Sequence, residues 1–260
     1  MTHPEPVHGA ADAGGESRLG APQHGASLQD QGKVFDATVL AMASLAEPGE
    51  AGNHILRIQY YVRALAQKLK ASPAYARPMS DRFIGLLFRA APLHDIGNSG
   101  VPDRILLKPG PLTDDELDII KTHPLVGRNV IDGISQAAGV STLFLDTARD
   151  IAYSHQEHWD GNGYPQGLSG EQIPLAARVM AIADAYDALT SDRVYRQGAP
   201  HNKAVQQIFQ ERAAHFDPDM VDAFIEIQDE FQLIAQRYAD TEVDFQKRID
   251  YMAKAIAESP

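Results

Sequence analysis

The amino-acid sequence predicts an all-α protein, a helical bundle, on three observations. Apolar residues recur at helical spacing in one segment after another. Stretches rich in proline and glycine separate those segments. The period-two alternation that marks a half-buried strand is essentially missing, and no internal repeat is visible. At 260 residues the chain can hold one large domain or two small ones, and its unbroken succession of helices points to one.

In chain order, residues 1–31 are rich in Gly, Ala, His and Pro and nearly devoid of large apolar groups, so they read as a disordered lead-in. His3, His8 and His24 fall there, without a scaffold that would make them ligands. Val34 to Leu45 has helical spacing, Glu47-Pro48-Gly49-Glu50-Ala51-Gly52 breaks it, and an amphipathic helix follows from about Asn53 to Lys70. After a proline-containing loop near Ser72–Met79, the run Phe83 to Leu93 is apolar on nearly every face, which marks a buried helix. That helix ends in His94-Asp95. Asn98 to Leu112 carries Gly100, Pro102, Pro109, Gly110 and Pro111 and reads as a structured loop.

Thr113 and Glu116 have capping-box spacing, and the helix they start is expected to continue through His123 toward Ile131. Another spans about Thr142 to Gln156. His158 to Gly170 is a glycine-rich loop holding the sole tryptophan, Trp159. Ile173-Pro174-Leu175 opens a helix reaching about Thr190, with Pro174 near its first turn. Helices near Asn202–Arg212, Asp217–Gln236 and Glu242–Ala257 complete the chain.

Composition removes several function classes. The absence of cysteine excludes disulfides, thiolate metal sites and a cysteine nucleophile, and fits a reducing cytoplasm. No apolar run is long enough to span a bilayer, and no secretory signal pattern opens the chain. A net charge of −12 argues against binding DNA or anionic membranes, so an anionic substrate needs a local cationic site. Ten histidines in an acidic chain make metal ions the natural source of that charge.

Five helices or helix ends offer metal-type ligands. Glu50 and His54 are four apart and share a face if the helix begins that early. His94 and Asp95 close the buried helix, where a desolvated imidazole–carboxylate pair costs roughly several kcal/mol unless it is hydrogen-bonded or holds a metal. His123 lies beside Ile119 and Ile120, and His155 follows Ile151-Ala152-Tyr153-Ser154. Asp184 sits in Val179-Met180-Ala181-Ile182-Ala183, too apolar for an unpaired carboxylate. Together they suffice for two divalent cations. Nitrogen and oxygen donors suit iron, manganese, nickel, cobalt or zinc better than copper(I) or an iron–sulfur cluster.

His94-Asp95-Ile96-Gly97, Gly100-Val101-Pro102-Asp103, Leu107-Lys108-Pro109-Gly110, His155-Gln156-Glu157, Trp159-Asp160-Gly161-Asn162-Gly163-Tyr164-Pro165 and Asp184-Ala185-Tyr186-Asp187-Ala188-Leu189-Thr190 together resemble the HD-GYP family. These are bacterial metal-dependent phosphodiesterases of the HD superfamily that degrade cyclic di-GMP. The resemblance spans roughly Val34 to Ala239 and implies a catalytic domain over residues 32–240, with 241–260 as a C-terminal helical tail. It implies His54, His94, Asp95 and Asp184 as the core metal set, Asp95 as the bridge, and His123 and His155 at a second metal. His94, Asp95 and His123 form the catalytic group, and Glu50 matches a glutamate of three-metal members. Tyr164 is similar to a substrate-contacting residue, and Arg193 and Arg196 match positions that grip phosphate.

Two positions depart from the family pattern. Asn98 stands where lysine is usual, which removes a cationic phosphate contact, and Gln156 replaces a second histidine, which argues against a third metal. Both remain counted with the substrate-contacting residues. The implied reaction is attack on phosphorus by hydroxide bridging two metals about 3.5–4 Å apart, with Arg193 and Arg196 stabilising the developing charge. The products are pGpG and, after a second cut, GMP. Alternatives are a catalytically weak cyclic-di-GMP-binding module, or a hydrolase of pGpG or another cyclic dinucleotide. The segment Val34–Leu45 is similar to one that follows a response-regulator receiver domain. Candidate partners, beside cyclic di-GMP or pGpG, are a receiver-domain or GGDEF-type protein and a second copy of the chain.

Overall fold

The computed structural model describes residue 1 and residues 27–47, 52–192 and 197–257. The described residues form twelve α-helices, three short 3-10 turns and no strand, as the sequence predicts. The helices are α1 (Leu28–Ala46), α2 (Gly52–Lys70), α3 (Asp81–Ala90), α4 (Asp103–Leu106), α5 (Asp114–Ile120) and α6 (His123–Ala138). They continue as α7 (Leu143–Ser154), α8 (Leu175–Thr190), α9 (His201–Gln210), α10 (Pro218–Glu226), α11 (Gln228–Arg237) and α12 (Glu242–Ala257). None is long and apolar enough to cross a membrane.

The core forms around α2 and α8. Ile58, Tyr61, Val62, Leu65 and Leu69 of α2 are buried against α3, α8, α10 and α11. Tyr61 stacks on Phe231 of α11 at 4.7 Å and meets Tyr186 of α8 edge-on at 5.3 Å. α8 is apolar on nearly every face because neighbours cover it all round, with Ala176, Val179, Met180, Ile182 and Ala183 inside. Each large aliphatic side chain buried in this way contributes about 1.5–3 kcal/mol. α6 and α7 pair on one side, and the 3-10 turn Ile96–Gly100 packs against α6. That approach requires Gly97, since a Cβ there would lie 1.9 Å from His123 O and 2.6 Å from Gly127 N.

Several boundaries differ from the sequence expectation. α1 starts at Leu28 because the Ser27 side chain accepts the Asp30 N–H, so ordered helix begins inside the segment read as a disordered lead-in. α3 stops at Ala90, and Pro92 sits in a 3-10 turn over Ala91–Leu93 that delivers His94. The helix expected to run through His123 is broken after Ile120. Pro124, lacking an N–H, stands in the first turn of α6, so His123 opens a helix rather than lying within one. Asp217–Gln236 is likewise two helices, divided at Ile227, whose φ of −121° leaves the helical range. Pro174 takes the cap position just before the first turn of α8, as expected. At the other end, α12 is tied to the body through Tyr251 Oη–Asp103 at 3.0 Å and Arg248–Asp192 O at 2.8 Å.

Candidate metal centre

Three histidines arrive at one point from three helix ends, each with its ring fixed by a backbone carbonyl. His94 Nδ1 donates to Ala91 O at 3.0 Å, His123 Nδ1 to Ile120 O at 2.7 Å and His155 Nδ1 to Ile151 O at 3.0 Å. A neutral imidazole has one N–H, so donation from Nδ1 leaves a lone pair on every Nε2. Those lone pairs face one another and Asp95. His123 Nε2 and His155 Nε2 are 3.3 Å apart, and each is 3.4 Å from Asp95 Oδ1. His94 Nε2 lies 3.8 Å from Asp95 Oδ2 and 3.9 Å from Asp184 Oδ1. His94 Nε2 and Asp95 Oδ1 are buried without a hydrogen-bond partner.

Acceptors crowded together without donors call for a cation. Two ligands about 2.0–2.2 Å from one ion, at tetrahedral or octahedral angles, stand roughly 3.0–3.5 Å apart. The His123–His155–Asp95 spacings match that range, so the side chains fit a metal. Burial alone would push the Asp95 pKa up, but His94, His155 and His123 hold it well below the usual carboxylate range.

A second group adjoins the first. Glu47, His54 and His94 bring one ligand atom each within 4.8 Å of one another, as do Asp95, His123 and His155. Asp95 stands between the groups, with Oδ1 toward His123 and His155 and Oδ2 toward His94. His54 Nδ1 pairs with Asp187 Oδ2 at 2.7 Å, a carboxylate–histidine pair of the kind that orients metal ligands. Asp187 is in turn clamped by Arg57, Nε to Oδ1 at 2.6 Å and Nη2 to Oδ2 at 3.0 Å, and by the Ser191 hydroxyl. Burial opposes its ionisation, yet His54 and Arg57 hold Asp187 far below the usual carboxylate range.

Asp95, His123 and Asp184 open onto a cleft of about 540 Å³, lined also by Asn98, Gln156 and Tyr164 among others. Lys108 is the one cationic side chain among the described lining residues, and its Nζ pairs with Glu116 at 2.6 Å. Burial, with Asp95 and Asp184 nearby, pushes the Tyr164 phenol above its ordinary pKa, so it stays protonated at neutral pH. Its loop is held by Glu157, which is buried and accepts from Gln166 N at 2.7 Å and Leu168 N at 2.9 Å. Gly163 allows the chain to double back, since a Cβ would lie 2.1 Å from His158 N. Trp159 N and Asp160 N then donate to His215 O and Ala214 O, both at 2.9 Å, pinning the loop to the α9–α10 connection.

Residues 42–220 match the HD domain family. This chain belongs to the HD domain family. Its motifs resemble those of the HD-GYP branch. It is 48% identical over 212 residues to a "Probable cyclic di-GMP phosphodiesterase" of Vibrio cholerae serotype O1, covering 81% of this chain and 48% of that one. A "Cyclic di-GMP phosphodiesterase" of the same organism is 45% identical over 207 residues, covering 79% of this chain and 42% of the relative. The chain spans about half the length of the curated relatives it matches. In fold it is similar to an HDG"Y"P protein from Bdellovibrio bacteriovorus, with TM-score 0.51, 16% identity, and coverage of 80% of this chain and 75% of that one.

Of the residues expected to form the site, the fold brings together His54, His94, Asp95, His123, His155 and Asp184, with Asn98, Gln156 and Tyr164 along the cleft. Glu50, Arg193 and Arg196 lie outside the described residues. Sequence reasoning missed Asp187, Arg57, Lys108 and Glu47. Asp187 carried a usable signal, a second acid three residues after Asp184 in the same apolar helix. Arg57 is three residues after His54 and shares its face. Glu47 gave no signal, because it stands in a segment that reads only as a helix breaker.

Proposed function

We propose that this chain is a metal-dependent phosphodiesterase that hydrolyses cyclic di-GMP to pGpG, with GMP as the product of a second cut. The observation that carries the reading is the convergence of His94, His123 and His155 Nε2 on Asp95, with His94 Nε2 and Asp95 Oδ1 buried and unpartnered. Two divalent ions of iron, manganese, nickel, cobalt or zinc suit this donor set. When bound they supply Lewis acidity, lowering the pKa of water toward 7 and offsetting charge on phosphoryl oxygens.

The chain's own residues do the positioning. Backbone carbonyls lock the three imidazoles with their lone pairs aimed inward, so little reorganisation is needed when ions bind. Asp95 shares its two oxygens between the ligand groups, and Asp184 adds a carboxylate beside His94. On this reading protonated Tyr164 donates to a substrate phosphate oxygen, with Gln156 and Asn98 as neutral hydrogen-bonding groups on the same cleft. Arg193 and Arg196 grip the phosphates on this reading, their planar forks suited to the task. Regulation by a receiver-domain or GGDEF-type partner, a homodimeric state and a cytoplasmic location belong to the same proposal.

The test is product analysis on cyclic di-GMP, pGpG and a mixed cyclic dinucleotide, before chelation, after chelation and after reloading with Mn²⁺ or Fe²⁺. Hydrolysis of cyclic di-GMP should disappear on chelation, return on reloading, and be absent from Asp95→Ala under all conditions. Full turnover by metal-free protein overturns the mechanism. Binding of cyclic di-GMP without turnover by the loaded chain makes it a sensor instead.

A further inference from the structure

Helix α1 ends inside the metal centre. Its buried residues Val39, Ala43 and Ala46 face the core, and Glu47 follows as the cap, its N–H returning to Ala43 O at 3.1 Å. Glu47 is 4% exposed. A carboxylate so placed needs a cation or donors, since desolvating it alone costs roughly several kcal/mol. Glu47 Oε1 has no hydrogen-bond partner, and Oε2 lies 3.2 Å from His54 Nε2.

The His54 ring already spends its Nδ1–H on Asp187. In the neutral ring that leaves a lone pair on Nε2, facing a carboxylate oxygen, and the two repel unless positive charge lies between them. Two ligands of one ion stand roughly 3.0–3.5 Å apart, which matches the separation found. His94 Nε2, itself unpartnered, completes the group.

We propose that Glu47 is a direct ligand of the ion held by His54 and His94, and that occupancy of this ion therefore depends on how α1 is seated. The inference rests on the metal-dependent reading above. Among the described residues, α1 is the only helix before residue 48, and it packs on the two 3-10 turns that flank His94 and Asp95, on α2 and on α3. Its seat includes the buried Val39, Ala43 and Ala46, the Phe35–Phe144 edge contact at 4.9 Å and the Arg89–Asp36 ion pair at 3.0 Å. A shift of α1 moves Glu47 away from His54, whereas His123 and His155 are delivered by the start of α6 and the end of α7.

The experiment counts Mn²⁺ in the folded chain by mass spectrometry and measures its affinity by competition with a chromogenic chelator. The variants are Glu47→Gln, Glu50→Gln, Val39→Ala and the Glu47→Gln/Val39→Ala double, with circular dichroism to confirm folding. Glu47→Gln should weaken one ion by about tenfold or more and leave the other at parental affinity. Val39→Ala should weaken the same ion, and the double variant should add nothing to Glu47→Gln, because both act through one ligand. If Glu47→Gln fails to fold, Glu47→Asp, whose carboxylate falls one methylene short, gives the same readout. Parental stoichiometry and affinity in the Glu47 variants, or loss of the ion in Glu50→Gln instead, overturns the ligand assignment. A Val39→Ala effect that adds fully to Glu47→Gln overturns the coupling to α1. A parent chain that binds no Mn²⁺ overturns the metal-dependent reading together with this inference.

Discussion

Asp187 touches the ligand group only through His54, yet it decides which His54 nitrogen faces Glu47 and His94. Asp187→Asn keeps the shape but removes the charge that orients the ring, so metal affinity should fall by about 10–100-fold. Titration with Mn²⁺ checks this, and unchanged affinity would mean that Arg57 and Ser191 hold the ring indirectly without the carboxylate. Tyr164 is a different kind of residue. Its hydroxyl lies on the cleft and belongs to no ligand group, so Tyr164→Phe should leave metal content normal. Cyclic di-GMP kcat/KM should drop by roughly tenfold, the worth of about one hydrogen bond to a charged oxygen. Equal kcat/KM in variant and parent removes Tyr164 from the substrate contacts.

At the scale of elements, the centre depends on close approaches between short segments. Gly97→Ala puts a methyl group into His123 O and Gly127 N, so the start of α6 has to move and carry His123 away from Asp95. The expected cost is about 1–3 kcal/mol of stability, with weaker metal binding on the His123 side; urea melts and metal counts read the two effects separately. The loop bearing Tyr164 is pinned partly by His158 stacked on His215 at 3.9 Å. Burial, and His158 beside it, push the His215 pKa down from 6.5 to about 4. The unfolded chain therefore takes up a proton between those values that the folded chain refuses. Stability from this group is complete above 6.5 and is lost as pH falls toward about 4. Melting curves of His215→Gln should be flatter than the parent's across that window, and parallel curves would exclude His215 as a source of acid sensitivity.

For the whole molecule, the candidate metal centre joins parts from across the chain: the end of α1, the start of α2, the turn after α3, the start of α6, the end of α7 and α8. Ions that bind only the folded arrangement stabilise it, by about 2.7 kcal/mol when free metal is a hundredfold above Kd. For a chain of this size that corresponds to a Tm rise of roughly 5–10 °C. Chelation should remove this increment from the parent and change little in Asp95→Ala, as calorimetry would show. Equal Tm with and without chelator would mean that the ligands are held in place by the bundle alone.

The sequence by itself determined the all-α class, because apolar periodicity and proline–glycine breaks are local properties written residue by residue. It also determined most of the candidate ligand set. His94, Asp95, His123, His155 and Asp184 each stand out as polar groups at the end of, or within, apolar helical runs, where burial is costly without a partner. Boundaries were less legible. The break at Ile120–His123 turns on one proline, and Ser27 extends α1 backward by a side-chain cap that composition hides. What only the tertiary structure decided is the set of partners across long sequence distance. Asp187 finds His54 and Arg57 from more than a hundred residues away, and Glu47 enters the centre because α1 ends there. Local sequence carries no record of such contacts, since they are fixed by how helices pack, and packing depends on the whole core at once.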